Sequence, residues 1–148
     1  MKQHYIHLFE HNDWANKLSA ASISETKNIN PKAVSIFAHI VNAQQLWLNR
    51  ILGRSGLKPW DERSLDESII FSSQSTKDWM EFLKNSAESD IEKSISYQNS
   101  KGENFSNKIG QIINQVISHS SHHRGQIALL VRQSGGEPAR TDYILFNR

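Results

Sequence analysis

The sequence predicts an all-α fold, a four-helix bundle with a short β-hairpin inserted before the last long helix. Three observations carry this. Four long stretches repeat apolar residues near the 3.6 period of a helix. Clusters of proline, glycine and asparagine bound them. One short stretch before the fourth instead alternates apolar and polar residues around a polar turn at Gly102. The 148 residues suit one domain, spanning 1–148. At that length about two-thirds of the unfolded surface can be buried.

The first helix is predicted from Lys2 to Ser24, on the stripe Tyr5, Leu8, Phe9, Ala15, Leu18 and Ala21. Asn28, Asn30 and Pro31 break it. The second runs from Pro31 to Leu52, with Asn30 as N-cap and proline at the first helical position. Its apolar face is broad, from Ile36 and Phe37 to Leu48 and Ile51, and Gly53 ends it. The segment GRSGLKPWDERSLDES reads as a loop. The third helix is expected to start near Ser75 or Thr76, with Asp78 favouring its dipole, and to reach Lys93. The hairpin then spans SISYQNSKGENFSN. The fourth helix is predicted from Ser106, as cap, to Ser134, stopped by Gly135 and Gly136. The terminal YILF is apolar enough to dock on the bundle.

Composition narrows the chemistry. There is no cysteine, which excludes disulfides, thiolate metal sites and a cysteine nucleophile. Seventeen basic residues against fifteen acidic ones give +2 with no basic stripe, so nucleic acid is not an expected partner. The N-terminus lacks the apolar region of a signal peptide, and no run approaches the ~18 apolar residues of a membrane span. A soluble cytoplasmic protein without a membrane partner is the expectation.

Seven histidines remain as candidates for site chemistry. Ile112, Val116, His119, His123, Ile127 and Leu130 follow one another at spacings of 4, 3, 4, 4 and 3 along the fourth helix. His119 and His123 therefore share the inward stripe, one turn apart, where one helix can offer two imidazoles to one ion. His122 lies about 100° away and faces solvent or an interface. Paired core histidines can equally be held by hydrogen bonds to other side chains. A third ligand is available at His39, within about 60° of Ile36 and Ala43 on the buried face of the second helix; it also suits a core or rim residue. His4, His7 and His11 form a competing set, read as a solvated or semi-exposed face. Glu10, Asp13 and Glu81 are general-base candidates only by lying on helices. Arg124 and Gln126 flank the ligand helix and can hydrogen-bond nearby chain or substrate, Arg124 more simply as a structural salt bridge; Gly125 reads as a site of close helix approach rather than a catalytic one, and Trp47 as core packing or a pocket wall.

The stretch HSSHHRGQIALLVRQSGGEPARTDYILF resembles the C-terminal signature of the DinB/YfiT-like metalloproteins, the damage-inducible DinB superfamily. It carries a histidine, three residues, then His-Arg-Gly-Gln, a hydrophobic helix, glycine, and Thr141, Asp142 and Tyr143. SIFAHIVNAQQLWLNRI resembles the segment bearing the family's first ligand, and HNDWANKLS its first-helix pattern, so the likeness spans nearly the whole chain. The resemblance implies an up-down-down-up bundle, often a homodimer. It implies a divalent metal, zinc or nickel, held by three histidines that map onto His39, His119 and His123. It also implies a small-molecule substrate: some relatives are S-transferases using low-molecular-weight thiols, others are hydrolases or isomerases. Three neutral imidazoles leave a +2 ion with at least one open position. Two readings stay open, a metal-dependent thiol S-transferase or small-molecule hydrolase, and a non-catalytic, metal-stabilised stress-response or partner-binding bundle.

Overall fold

Four long helices form a bundle in the computed structural model, which describes residues 1–54 and 56–148. Ser55, within the expected 53–68 loop, lies outside the described residues. The helices are α1 (Lys2–Glu25), α2 (Pro31–Ile51), α3 (Leu65–Asn85) and α4 (Ile109–Gln133). A 3-10 turn (Glu88–Glu92) and the antiparallel hairpin β1 (Ser94–Gln98) and β2 (Asn104–Lys108) lie between α3 and α4, and the short α5 (Tyr143–Phe146) ends the chain. Each long helix packs chiefly on two others, in the cyclic order α1, α3, α2, α4. Chain neighbours α1 and α2 therefore sit across a diagonal.

Two boundaries differ from expectation. α3 begins at Leu65, about ten residues before the predicted Ser75 or Thr76, behind a capping box in which Ser64 Oγ accepts from Glu67 N–H and the Glu67 carboxylate accepts from Ser64 N–H. The early turns hid from the periodicity because they bury serines. Ser68, Ser72 and Ser75 continue the inward stripe of Trp79 and Leu83, while Ile70 is 73% exposed. The same helix stops at Asn85, short of Lys93. Ser106 does not cap α4; it pairs with Ser96 in the hairpin, and the helix starts after Lys108, whose N–H donates to Gln111 Oε1. At the other end Gly135 adopts φ +83°, and a Cβ on Gly136 would collide with Thr26 Oγ1 at the foot of α1.

The apolar core falls into two clusters. One gathers Phe9, Leu48, Trp79, Leu83, Ile91 and Ile113; the other gathers Ile23, Phe37, Ile40, Ile127 and Val131. A polar layer is also buried, built on Asn12, Asn16, Gln44, Ser75 and Arg124. Arg124, only 3% exposed, donates through Nη1 to Asn12 Oδ1 (2.7 Å) and Asn16 Oδ1 (2.8 Å). Asn12 Nδ2 donates to Gln44 Oε1, and Gln44 Nε2 to Ser75 Oγ. Trp79 Nε1–H donates to the Gln44 carbonyl. The expected salt bridge at Arg124 is thus replaced by two amide oxygens. No partner holds Arg124 Nε or Asn16 Nδ2 among the described residues.

Replacing Asn12 by leucine removes one acceptor from a buried cation and one donor from Gln44. We expect Asn12→Leu to lower unfolding free energy by about 2–3 kcal/mol. Urea denaturation followed by circular dichroism measures this; a loss below about 0.5 kcal/mol, the range of ordinary surface changes, would refute it.

Candidate metal centre

α4 delivers two imidazoles and α2 one. His119 and His123 stand one turn apart with ring centroids 4.4 Å apart, and His39 faces both at 4.8 and 4.7 Å. One ligand atom from each ring lies within 4.8 Å of the others, so the set could hold a metal ion. His39 is buried, and the two α4 histidines are half-buried.

The hydrogen bonds fix which nitrogens face inward. His39 Nδ1 lies 2.8 Å from the Pro59 carbonyl oxygen. A carbonyl only accepts, so Nδ1 carries the proton and a neutral ring keeps its lone pair on Nε2. That Nε2 is 3.0 Å from His119 Nε2. Two nitrogens on one tetrahedral zinc ion stand about 3.3 Å apart, given Zn–N bonds of about 2.0–2.1 Å. His123 Nδ1 lies 2.6 Å from Gln126 Oε1, which leaves its Nε2 as the free lone pair. A second partner that orients each ligand ring is the usual construction of such centres. The donor set therefore fits a divalent ion that accepts imidazole nitrogen, a chemistry shared by zinc, nickel, copper and iron.

Burial favours the same state. The His119 pKa is pushed down to about 4, first by desolvation and then by the neighbouring His123, His39 and His122. Desolvation likewise lowers His39, against the Pro59 hydrogen bond. Both rings are neutral near pH 7, as ligation requires.

Trp60, on the loop between α2 and α3, lies flat on His39 at 3.6 Å with 4° between the planes, and is 59% exposed as a residue. Neither Pro59 nor Trp60 has a periodicity that marks it; the lone aromatic of a glycine-, proline- and charge-rich loop is the signal available. Beside the centre opens a cavity of about 790 Å³, with His39 and His119 on its wall. Ala43, Leu46, Trp47 and Arg50 of α2 line it, with the 56–59 loop segment and Tyr97 to Ser100 of the hairpin. Trp47 is thus a wall residue as well as a packing one.

The remaining candidates fall elsewhere. His122 is exposed, as its phase required. Glu10 pairs with His7 and Asp13 with Lys17, and Glu81 lines a different groove. Of the N-terminal histidines, His4 is exposed and His7 half-exposed, as a solvated or semi-exposed face requires, and only His11 departs from that reading. His11 is 7% exposed and its Nε2–H donates to the Thr141 carbonyl, while His7 bonds Asn147 Oδ1. Both pack against Tyr143 and Phe146, so this set anchors the C-terminal YILF to α1. Gly125 is exposed with open space around it, which removes the close-approach reading.

A family model described as the DinB family matches residues 1–148. The chain is 22% identical to Protein DinB of Bacillus subtilis (strain 168) over 158 aligned residues, covering 94% of this chain and 91% of that one. The crystal structure of a DinB-like protein from Bacillus cereus ATCC 10987 superposes with a TM-score of 0.65 at 19% identity, covering 93% of each chain. Among the described residues no helix is long and apolar enough to cross a membrane.

Two outcomes follow from the geometry. His119 and His39 bind fewer protons folded than unfolded, so metal-free stability is full above their ordinary pKa of 6.5 and falls as pH drops toward about 4. Urea midpoints should decline across that window, and less steeply in His119→Asn; midpoints that stay flat would contradict it. Gln126→Leu should weaken zinc binding about 10–100-fold in a chelator competition, since it removes the group orienting His123. Unchanged affinity would assign Gln126 no such role.

Proposed function

This chain belongs to the DinB family, and from that premise we propose that it is a metal-dependent enzyme acting on a small molecule, with His39, His119 and His123 as the metal ligands. Thiol S-transfer is the favoured reaction and hydrolysis the alternative within the same class. The observation that carries the reading is the roughly 790 Å³ cavity with His39 and His119 on its wall. A centre serving stability alone has no need of an open side.

When bound, zinc or nickel supplies Lewis acidity, favouring thiolate over thiol and polarising an electrophile near neutral pH. The chain's own residues supply the rest. Three neutral imidazoles add no negative charge to offset that of the ion. Pro59 and Gln126 hold two of the rings in the required tautomer. Trp60 covers one face of His39 and keeps water from that side. Leu46, Trp47 and Tyr97 give the cavity an apolar and aromatic wall for a carbon electrophile.

No carboxylate lies among the described lining residues. A thiol, which ionises near pH 8.5, needs less help from a base than water does, which supports transfer over hydrolysis. In that step the sulfur–carbon bond forms, the leaving group departs with its electron pair, and the thiol proton passes to solvent.

Elemental analysis of protein expressed with zinc or nickel should find one equivalent, lost in His119→Ala and in His123→Ala. A panel of low-molecular-weight thiols against an aromatic halide should then show turnover that chelation abolishes. Turnover that survives chelation would overturn the reading. So would one equivalent of metal with no turnover across thiol and ester panels, which favours the non-catalytic bundle.

A further inference from the structure

The cavity has a second end, away from the histidines, with a composition of its own. His39, Ala43, Leu46 and Arg50 all line it from α2. Arg50 follows His39 by eleven residues, three turns with a remainder of about 20°, so the two share one helix face. Their Cα atoms are roughly 16 Å apart along the axis, and helical side chains lean toward the N-terminus.

The Arg50 guanidinium is held without a carboxylate. It sits in the angle between the rings of Trp47 and Tyr97, with Cζ 4.4 and 4.9 Å from their centroids. The rings meet at 81° with centroids 5.0 Å apart. Nη2 donates to the Gln98 carbonyl at 3.3 Å. A guanidinium has five N–H donors, and among the described residues no ion pair engages the others. Lys58 and Arg54 line the same cavity, although Arg54 also borders a groove carrying Asp78 and Glu81. With no acidic side chain among the described lining residues, the charged groups on the cavity wall, Arg50, Arg54 and Lys58, are all basic.

We propose that this end is a carboxylate-binding subsite, with Arg50 as its fork and Lys58 as an accessory cation, selecting substrates that carry a carboxylate a few bonds from the reacting group. Two aromatic contacts fix the plane of the guanidinium, and a planar fork matches a planar carboxylate through two parallel hydrogen bonds. The use of the subsite in turnover rests on the metal-dependent reading above; binding of the anion does not. Arg50 is here a specificity residue, distant from the reacting atoms.

The test is calorimetric titration of the metal-free full chain with glutarate, its uncharged diamide glutaramide, and inorganic phosphate. Glutarate should bind, and glutaramide at least about tenfold more weakly. Arg50→Gln should weaken glutarate about tenfold, Arg50→Lys should not restore it, and Lys58→Gln should cost a smaller factor. Equal binding of glutarate and glutaramide, or an unchanged affinity in folded Arg50→Gln, would overturn the proposal. Phosphate binding more tightly than glutarate would overturn the carboxylate assignment. Should Arg50→Gln lose its circular dichroism signal, the glutarate–glutaramide difference and Lys58→Gln decide alone. A metal-free titration is blind to turnover, so an inactive enzyme and an absent subsite give separate results.

Discussion

A buried arginine needs acceptors, and Arg124 finds them by drawing the four helices together. Its guanidinium is desolvated enough to lower its pKa to about 10. Charge in that setting is costly unless hydrogen-bonded. The acceptors are two asparagines one turn apart on α1, and one of them passes the connection through Gln44 on α2 to Ser75 on α3. One chain of amides and hydroxyls thereby crosses all four helices. Apolar packing tolerates small rotations of a helix; this chain does not, because each member has a directional partner. Arg124 directly follows His123, so the rotation that satisfies the arginine also sets the rotation of the histidine stripe.

The three-histidine cluster inherits its geometry from that register. α4 is oriented by Arg124, and α2 by Gln44, five residues beyond His39. What the bundle leaves undetermined is the tautomer and tilt of each ring. Pro59 supplies this for His39 from a loop, and Gln126 supplies it for His123 from within α4. The centre is thus assembled at two levels, helix register and then local hydrogen bonds, and the second costs few residues once the first is in place.

Much of this was legible in the sequence. The spacing of 4, 3, 4, 4 and 3 along α4 separates His119 and His123 from His122, and the wheel of α2 puts His39 on the buried side, because a helix converts sequence spacing directly into direction. Other features required the third dimension. The start of α3 was hidden because serines face inward there and isoleucines outward, the reverse of the usual pattern, although Ser64 and Glu67 carry a readable cap. Ser106 has the chemistry of a cap but is taken by the hairpin. Pro59, Trp60 and Arg50 belong to the site through contacts between elements distant in sequence, which periodicity within one element does not encode. HNDWANKLS was matched as a pattern; the structure explains Asn12 and Asn16 in it, as the oxygens that receive Arg124.

The hairpin divides the labour of the cavity in a way that bears on how such proteins diverge. The histidine end is built on bundle helices, where a change of register disturbs every layer. The opposite wall comes from β1 and the turn at 99–102, which touch the bundle through a few contacts such as that of Arg50 with the Gln98 carbonyl. Lengthening a turn is cheap, about 0.6 kcal/mol for each doubling of its length. A lineage can therefore exchange one half of its binding cavity as a cassette while the other half stays under the full constraint of the fold.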